Sequence, residues 1–464
     1  MNQHSTPAGE RTITERLAQF VSGLRYEDLP GATADYAKRL LLDGIGCLMA
    51  GTRGGPAQRV SQALAGMHHL IDGPATNLVA GTRTSARDAA FANGVALYSV
   101  GVNDIHRPSI SHPGGSIVPV VLAMGEWQQS SGSDMLAAMA AGYELMGRLG
   151  AAMQPSHWDR GFHPTGTFGT FGCAAAASRL FELDEQHTVW ALGIAGSQAS
   201  GNQSFHTDGS LTMIFHAGHA ARNGIEAAAI AAQGFTGPHT VFEDPRGFLA
   251  AASDGARPER LVEGLGGNGS LAIADTSFRP YYGCTLTIAA SGAAADILAR
   301  RPRGARIETV EVRVHPDSVK VIDDPAPETL LAARLSIQFN VALVLQRWSV
   351  LIGDIDEADL RHPDIRRLMG VIRVVPDPSI GFWGSALKVG FADGATESCT
   401  VELPKGDPAN PMTWDDVEAK FRELAGERCP RASTDRIVAA VRGMETVRGD
   451  QLVALILDGL AGTR

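Results

Sequence analysis

The sequence lacks the features that membrane, secreted and nucleic-acid-binding proteins need. Its 464 residues contain no run of about 18 apolar side chains, which argues against a membrane span. The first residues hold no apolar stretch typical of a signal peptide. Asp and Glu outnumber Lys and Arg by 50 to 40, and this negative balance disfavours nucleic acid or an anionic membrane as a partner.

Cysteine is scarce, and the signatures of common cofactor sites are missing. The five cysteines are dispersed, with no C-x-x-C pair: Cys47, Cys173, Cys284, Cys399 and Cys429. An odd, scattered set indicates reduced thiols and predicts a cytoplasmic protein. The sequence has neither a P-loop nor a G-x-S-x-G motif. Residues 264–269 satisfy G-x-G-x-x-G, but they follow a charged helical stretch and not a strand, so nucleotide binding is not expected.

Alanine and apolar side chains at helical spacing dominate the first half of the chain. This pattern predicts helices and loops over residues 11–260, because alanine favours helix and the apolar side chains share one face. Helical patterns return near the C-terminus. The predicted helices span residues 32–50, 117–129, 134–153, 171–183, 185–197, 217–233, 413–425, 433–444 and 451–460.

The pattern changes after about residue 270. Residues 306–315 alternate apolar and polar side chains, as a half-buried strand does, and residues 372–375 form a weaker strand candidate. Strands at 386–391 and 397–403 flank an Asp-Gly turn, which is typical of a hairpin. Residues 326–351 favour a helix between these strands.

These patterns predict a mainly α fold with an inserted α+β domain. We expect a disordered tail over residues 1–10. Residues 11–270 and 406–464 would form one large helical domain from both ends of the chain. Residues 271–405 would form a smaller α+β lid domain.

Residues 103–115 (NDIHRPSISHPGG) concentrate reactive side chains in a loop directly before a helix. Asp104, His106 and His112 are the candidates, since an imidazole titrates near neutral pH and serves as an acid or a base. Backbone N–H groups at a helix start, such as that of Gly114, can receive a carboxylate. The alternative is a surface loop with solvated histidines, but loops so often carry sites that we favour function.

Residues 161–170 repeat this arrangement. His163 precedes a proline, and small residues including Thr165 leave backbone amides open to a ligand before an alanine-rich helix. The alternative is an ordinary helix N-terminus capped by Thr167 or Thr170. The repetition of one pattern favours a functional site.

Two further segments are weaker candidates. His216 and His219 could form half of a zinc site, but H-E-x-x-H spacing and a third ligand are absent, so no metal is predicted and packed side chains are expected. Arg279 lies beside a Pro-Gly turn, and its guanidinium suits carboxylate binding. Cys284 lacks any nucleophile signature and is expected to be a small buried residue.

Several segments together resemble the MmgE/PrpD family, which contains 2-methylcitrate dehydratase, cis-aconitate decarboxylase and iminodisuccinate epimerase. The resemblance covers nearly the whole chain. It rests on residues 41–47 (LLDGIGC), 92–96 (ANGVA), 112–114 (HPG), 142–150 (GYELMGRLG), 162–174 (FHPTGTFGTFGCA), 193–201 (GIAGSQASG) and 234–238 (GFTGP).

The resemblance implies a large helical domain with a smaller α+β lid, paired as a homodimer, and an active site between the domains. It also implies catalysis without a cofactor on a di- or tricarboxylate. His112 and His163 match family active-site histidines. Tyr143 matches a tyrosine proposed as an acid/base group in the epimerase.

The chain departs from the family pattern at several polar positions. The usual D-[FY]-D-D-T-H loop reads GVNDIH here, so one aspartate, Asp104, and His106 survive. Met213 replaces the usual lysine, and Ile288 replaces a histidine four residues after the lid cysteine. These changes count against ordinary methylcitrate dehydration or aconitate decarboxylation and suggest a less polar or differently shaped substrate.

The combined prediction is a cofactor-independent enzyme that abstracts a proton next to a carboxylate. His163 or His112 would be the base, and Asp104, His106 or Tyr143 would supply the other proton. The expected substrate-binding residues are Arg279, Gly114, Thr165, Cys284 and Met213. A dehydratase-type lyase is favoured on family frequency. An epimerase of the iminodisuccinate type and a non-catalytic ligand-binding descendant remain alternatives.

Overall fold

Helices dominate the structure, a computed structural model that describes residues 11–67, 72–267, 269–347, 355–426 and 429–461. The chain divides into two units. The first comprises residues up to 276 and residues from 425 onward, and the second comprises residues 277–424. The predicted fold class, mainly α with an inserted α+β part, is confirmed. The tail predicted over residues 1–10 lies outside the described residues.

The first unit is built from helices, with one short hairpin of strands Ala75–Asn77 and Thr82–Thr84. Its long helices are Ile13–Gly23, Gly31–Gly51, Gly55–Met67, Ala86–Ser99, Pro113–Gln128, Gly132–Met153, Pro164–Leu180, Glu185–Gln198, Thr212–Ala232, Arg431–Arg442 and Gly449–Ala461. The helices Pro164–Leu180, Gly132–Met153 and Thr212–Ala232 pack together at its centre. None of the helices in the described ranges combines the length and apolar character needed to cross a bilayer.

Glycine permits the closest helix contacts in this centre. A Cβ atom at Gly172 would lie 2.8 Å from the carbonyl oxygen of Gly142 on the neighbouring helix. Real Cβ atoms cannot approach a carbonyl so closely, so only glycine allows the two backbones to meet here. The helix begins at Pro164. The sequence predicted a start at residue 171, because the glycines before it disfavour helix by local propensity.

The second unit holds a four-stranded sheet covered by helices. Strand Ile307–Val314 pairs in parallel with Ile372–Pro376 and antiparallel with Ser385–Phe391, which forms a hairpin with Thr396–Val401. Its helices are Thr285–Leu298, Pro316–Ile322, Leu330–Leu335, Ile337–Arg347, Glu357–Arg361, Pro363–Val371 and Trp414–Ala425. The four predicted strands and their hairpin are thus confirmed.

Two details of this unit differ from prediction. The helix expected over residues 326–351 is broken at Ser336, whose extended backbone lets its hydroxyl accept the N–H of Phe339 at 3.0 Å. Residues 348–351 lie outside the described part of the chain. The compact unit ends at residue 424, whereas the predicted lid domain ends at residue 405. Within this unit Asp416 forms an ion pair with Lys405 at 2.8 Å.

Candidate active site

His112 and His163 each lie directly before a helix that begins with proline. Pro113–Gln128, the His112 helix, and Pro164–Leu180, the His163 helix, tolerate proline in the first turn because that position needs no N–H donor. The backbone N–H of His112 donates to the hydroxyl of Thr165 at 3.2 Å. This hydrogen bond joins the starts of the two helices, because the buried Thr165 lies in the first turn of the His163 helix.

Tyr98 connects the two imidazoles. Its ring lies edge-on to His112, with centroids 5.3 Å apart, and edge-on to His163, with centroids 6.3 Å apart. Such T-shaped contacts are favourable aromatic geometry. Tyr98 is buried near the end of helix Ala86–Ser99, just before the loop of residues 101–112, here called the site loop. Tyr98 is not among the site residues predicted from the sequence. Its position just before the site loop is the sequence feature that could have indicated it.

The hydrogen bonds of His112 assign its tautomer. Its Nδ1 atom lies 2.6 Å from the carbonyl oxygen of Asp104, which can only accept a hydrogen bond. The proton therefore sits on Nδ1, and Nε2 is the atom that gains or loses a proton. His112 is partly exposed.

Asp104 occupies the start of the His112 helix. Both of its carboxylate oxygens lie 3.1 Å from the N–H of Gly114, and one accepts the hydroxyl of Tyr143 at 2.7 Å. A negative group is favourable at a helix N-terminus. The Asp104 side chain already accepts the N–H of Gly114, and a role of Gly114 in binding a substrate carboxylate stays a prediction.

Tyr143 keeps its proton in this environment. Burial, the nearby charge of Asp104 and the hydrogen bond to it raise the Tyr143 pKa well above its usual value. Tyr143 comes from helix Gly132–Met153, so its hydroxyl joins this helix to the site loop. The structure thus brings together four predicted residues, Asp104, Gly114, Tyr143 and, through the Asp104 carbonyl, His112.

His163 faces another histidine. Its Nδ1 atom lies 3.0 Å from Nδ1 of His216, and both side chains are buried. Burial first, then the proximity of other imidazoles, lowers the His163 pKa well below its ordinary value. Burial likewise lowers the His216 pKa to about 4. Both rings are therefore neutral near neutral pH.

His106 is held within the site loop. Its Nδ1 atom lies 2.8 Å from the Ser109 hydroxyl, which in turn contacts the Ser111 hydroxyl at 2.6 Å. Burial lowers the His106 pKa to about 4. These contacts organise the loop, and a proton-donating role for His106 stays a prediction.

Met213 packs against the apolar cluster to which Tyr98 belongs. It lies in the first turn of helix Thr212–Ala232, here called the His216 helix. Its partly buried side chain packs against a cluster that contains Tyr98, Phe91, Val95 and Ile214. The position is therefore apolar, and a role in substrate binding stays a prediction.

Arg279 and Cys284 belong to the second unit. The buried Arg279 guanidinium donates to the carbonyl of Gly283 at 3.0 Å. Cys284 precedes helix Thr285–Leu298, and burial raises the pKa of its thiol, which disfavours a thiolate nucleophile. Ile288 is buried one turn later. The substrate-binding roles of Arg279 and Cys284 stay predictions.

The remaining histidines of residues 197–221 have separate environments. His219 stacks on Phe215 and its Nε2 atom lies 3.0 Å from the Asn223 amide nitrogen. His206 is exposed and lies edge-on to Trp158. Within the described ranges, no group of three His, Cys, Asp or Glu side chains is placed to hold a metal ion.

Two family profiles together match most of the chain. The profile of the MmgE/PrpD N-terminal domain matches residues 15–261, and that of the C-terminal domain matches residues 281–446. The chain belongs to the MmgE/PrpD family. His112, His163, Tyr98 and Tyr143 all lie in the part that matches the MmgE/PrpD N-terminal domain.

Within the MmgE/PrpD family the chain is similar to several cis-aconitate decarboxylases. It is 27% identical to the human cis-aconitate decarboxylase over 465 residues, covering 97% of this chain and 95% of that protein. It is 29% identical to the cis-aconitate decarboxylase-like protein oryM of Aspergillus oryzae, over 97% and 98% of the two chains. The cis-aconitate decarboxylase of Aspergillus terreus strain NIH 2624 is 28% identical over 89% of each chain.

Proposed function

We propose that this protein is a lyase for a small carboxylate, in which His163 and His112 move protons without a cofactor. The observation that carries the proposal is the position of Tyr98, whose ring contacts both imidazoles. Two titratable groups that contact one aromatic ring and influence each other's charge lie close enough to act on one bound molecule. The similarity to cis-aconitate decarboxylases supports a carboxylate lyase.

His163 is the proposed base. Because its pKa is lowered, the ring is neutral and its free nitrogen can accept a proton from the carbon next to a carboxylate. The electron pair of that C–H bond forms an alkene as a β-hydroxyl group leaves. In this step His112 starts as an imidazolium and gives the leaving hydroxyl the proton of Nε2, so water departs and a neutral ring remains, with its Nδ1 proton still held by the Asp104 carbonyl.

Asp104 and Tyr143 position His112 in this scheme. They fix the first turn of the His112 helix through the N–H of Gly114, and the Asp104 carbonyl holds Nδ1 of the His112 imidazole. Their effect on turnover is therefore indirect, through the orientation of His112.

The substrate is proposed to present an apolar group toward Met213. Met213 packs against the cluster that contains Tyr98, and a methionine side chain brings neither a charge nor a transferable proton to this position. A carboxylate placed there would lose its hydration without a partner, whereas an alkyl group would lose nothing.

Decarboxylation of an unsaturated acid is the second candidate, favoured by the names of the relatives. In that reaction the carbon–carboxylate bond breaks, carbon dioxide leaves, and the electron pair takes a proton from an imidazole. The same two histidines would transfer the proton. In dehydration the imidazole takes a proton from carbon, whereas in decarboxylation carbon takes a proton from the imidazole.

Incubation in D₂O with a panel of acids tests both candidates. The panel contains 2-hydroxy, 2-amino and unsaturated di- and tricarboxylates, some with an alkyl substituent, and proton NMR reads the products. A new alkene from a hydroxy acid supports dehydration, and release of carbon dioxide with deuterium at carbon supports decarboxylation. Exchange at Cα with loss of configuration would instead indicate an epimerase. No exchange and no product from any acid would overturn the proposal.

A further inference from the structure

The contact between His163 and His216 joins Nδ1 to Nδ1. At 3.0 Å the two nitrogens are at hydrogen-bond distance, with ring centroids 5.1 Å apart and planes inclined by 43°. Two lone pairs would repel at this distance, so one proton lies between the rings. Since Nδ1 of His163 is engaged, Nε2 is its remaining nitrogen for a substrate.

Backbone packing holds both rings in this orientation. The carbonyl of Gly201 accepts the N–H of His163 at 3.0 Å. The position that a Cβ atom of Gly201 would take faces the His216 ring. A Cβ atom at Gly201 would lie 3.4 Å from that ring, and the residue has a φ of 134°, which disfavours other side chains. Phe205 contacts both imidazoles edge-on, with centroids 5.2 Å from His163 and 6.0 Å from His216.

We propose that His216 is the positioning residue of His163 and that the two imidazoles accept one proton as a unit. In the resting pair, Nδ1–H of His163 donates to Nδ1 of His216, whose own proton is on Nε2. When Nε2 of His163 takes a proton from the substrate, the Nδ1 proton passes to His216. His163 is then neutral with its proton on Nε2, and His216 carries the single positive charge. The identity of the proton source rests on the proposed function.

The groups around the pair favour the uptake of one additional proton and not of two. The groups that lower the His163 pKa besides burial are imidazoles, namely His216, His112, His206 and His157. His219 acts in the same direction on His216. Among the described residues no carboxylate acts on the pKa of either ring, so nothing beside the pair would stabilise a second positive charge. Sharing one charge between two rings is then the favourable way to store the proton.

The alternative is that His216 only fills space. Three variants separate the two roles. In His216→Phe the ring volume remains and the acceptor is lost. In His216→Asn the side-chain oxygen can replace the acceptor Nδ1. His219→Asn, one turn along the same helix, is the matched control, because its ring stacks on Phe215 and contacts Asn223.

Nitrogen NMR of histidine-labelled protein without substrate tests the pair directly. The wild-type protein should show His163 protonated on Nδ1 and His216 on Nε2, with a proton shared across the contact. In His216→Phe the tautomer preference of His163 should be lost, and in His216→Asn it should persist. A proton resident on Nδ1 of His216, or an unchanged His163 tautomer in His216→Phe, would overturn the proposal even if the panel of acids revealed no substrate.

Turnover adds a second readout once a substrate is known. His216→Phe should lower kcat by about 10²-fold with little change in KM, since base strength and orientation are lost and binding is not. His216→Asn should recover most of that loss, and His219→Asn should match the wild type. Wild-type kcat and pH profile in a folded His216→Phe protein would refute a role in proton transfer. If that variant fails to fold, the histidine tautomers of the wild-type protein, read by nitrogen NMR, and the turnover of His216→Asn test the proposal instead.

Discussion

The hydroxyl of Tyr143 donates to the carboxylate of Asp104 at 2.7 Å, joining the centre of a long helix to the site loop. We expect these side chains to be energetically coupled because both are buried. Tyr143→Phe leaves a buried carboxylate oxygen short of a donor, which should cost about 1–3 kcal/mol of unfolding free energy. A double-mutant cycle with Asp104→Asn, followed by urea unfolding, should give a coupling of about 0.5–3 kcal/mol. Additive effects would contradict the hydrogen bond.

Turnover should depend on both helix-start histidines. His163→Gln and His112→Gln should each lower kcat by about 10²–10⁴-fold, the usual contribution of positioned acid–base groups. His187→Gln is the control, since that partly exposed ring contacts Asp184, the N-cap residue of helix Glu185–Gln198. If both site variants turn over substrate at the wild-type rate, the assignment of His112 and His163 fails.

The strands of the second unit could be predicted because their signals are local. Alternating side chains and the Asp393-Gly394 turn lie within a few residues of one another, and the observed hairpin Ser385–Phe391 and Thr396–Val401 follows them closely. Residues 326–351 show the limit of local patterns, because the break at Ser336 depends on hydrogen bonds that its hydroxyl makes in the folded unit.

The helix starts of the site could not be predicted from local propensity. The His216 helix begins at Thr212, whereas the sequence predicted residue 217 and left His216 outside the helix. A Cβ atom at Gly94 would lie 2.8 Å from Cα of Gly218, so close packing with a neighbouring helix selects glycine here. The pairing of His216 with His163 depends on this packing, and so does the contact of Tyr98 with both imidazoles.

Met213 should influence which substrate is accepted. In Met213→Lys a charge is placed against the apolar cluster that contains Tyr98, so kcat/KM for an acid with an alkyl group should fall by about 10–200-fold relative to a more carboxylated acid. Met67→Lys is the control, because Met67 is exposed at a helix end. Steady-state kinetics with paired substrates gives the ratio. An unchanged ratio in Met213→Lys would show that the substrate does not meet this residue.

Gly150 should tolerate no side chain. A Cβ atom there would overlap Ser109, whose hydroxyl holds the His106 ring. Gly150→Ala should therefore destabilise the protein by about 1–3 kcal/mol and displace the site loop, which lowers turnover. Gly23→Ala is the control, since nothing lies within 4 Å of its added Cβ atom. Thermal unfolding and kcat that are equal in both variants would contradict this packing.

Stability should fall as the pH drops below about 6.5, the ordinary histidine value. Burial lowers the pKa of His106, His157 and His216 to about 4 each. Between these values the unfolded chain binds protons that the folded protein does not, so the free energy of unfolding decreases as pH falls. The free energy of unfolding therefore decreases progressively from about pH 6.5 toward pH 4.

His157 offers the sharpest test of this linkage. Its ring is buried between Phe162 and Phe168, and it contacts the Ala252 carbonyl at 2.8 Å through Nδ1. His157→Asn should be less stable at pH 7.5 but should lose less stability on acidification, by about 1.4 kcal/mol per pH unit between pH 6 and 5. His239→Asn is the control, because that side chain is exposed. Parallel curves of unfolding free energy against pH for the wild type and His157→Asn would mean that His157 binds its proton equally well in the folded state, contrary to its burial.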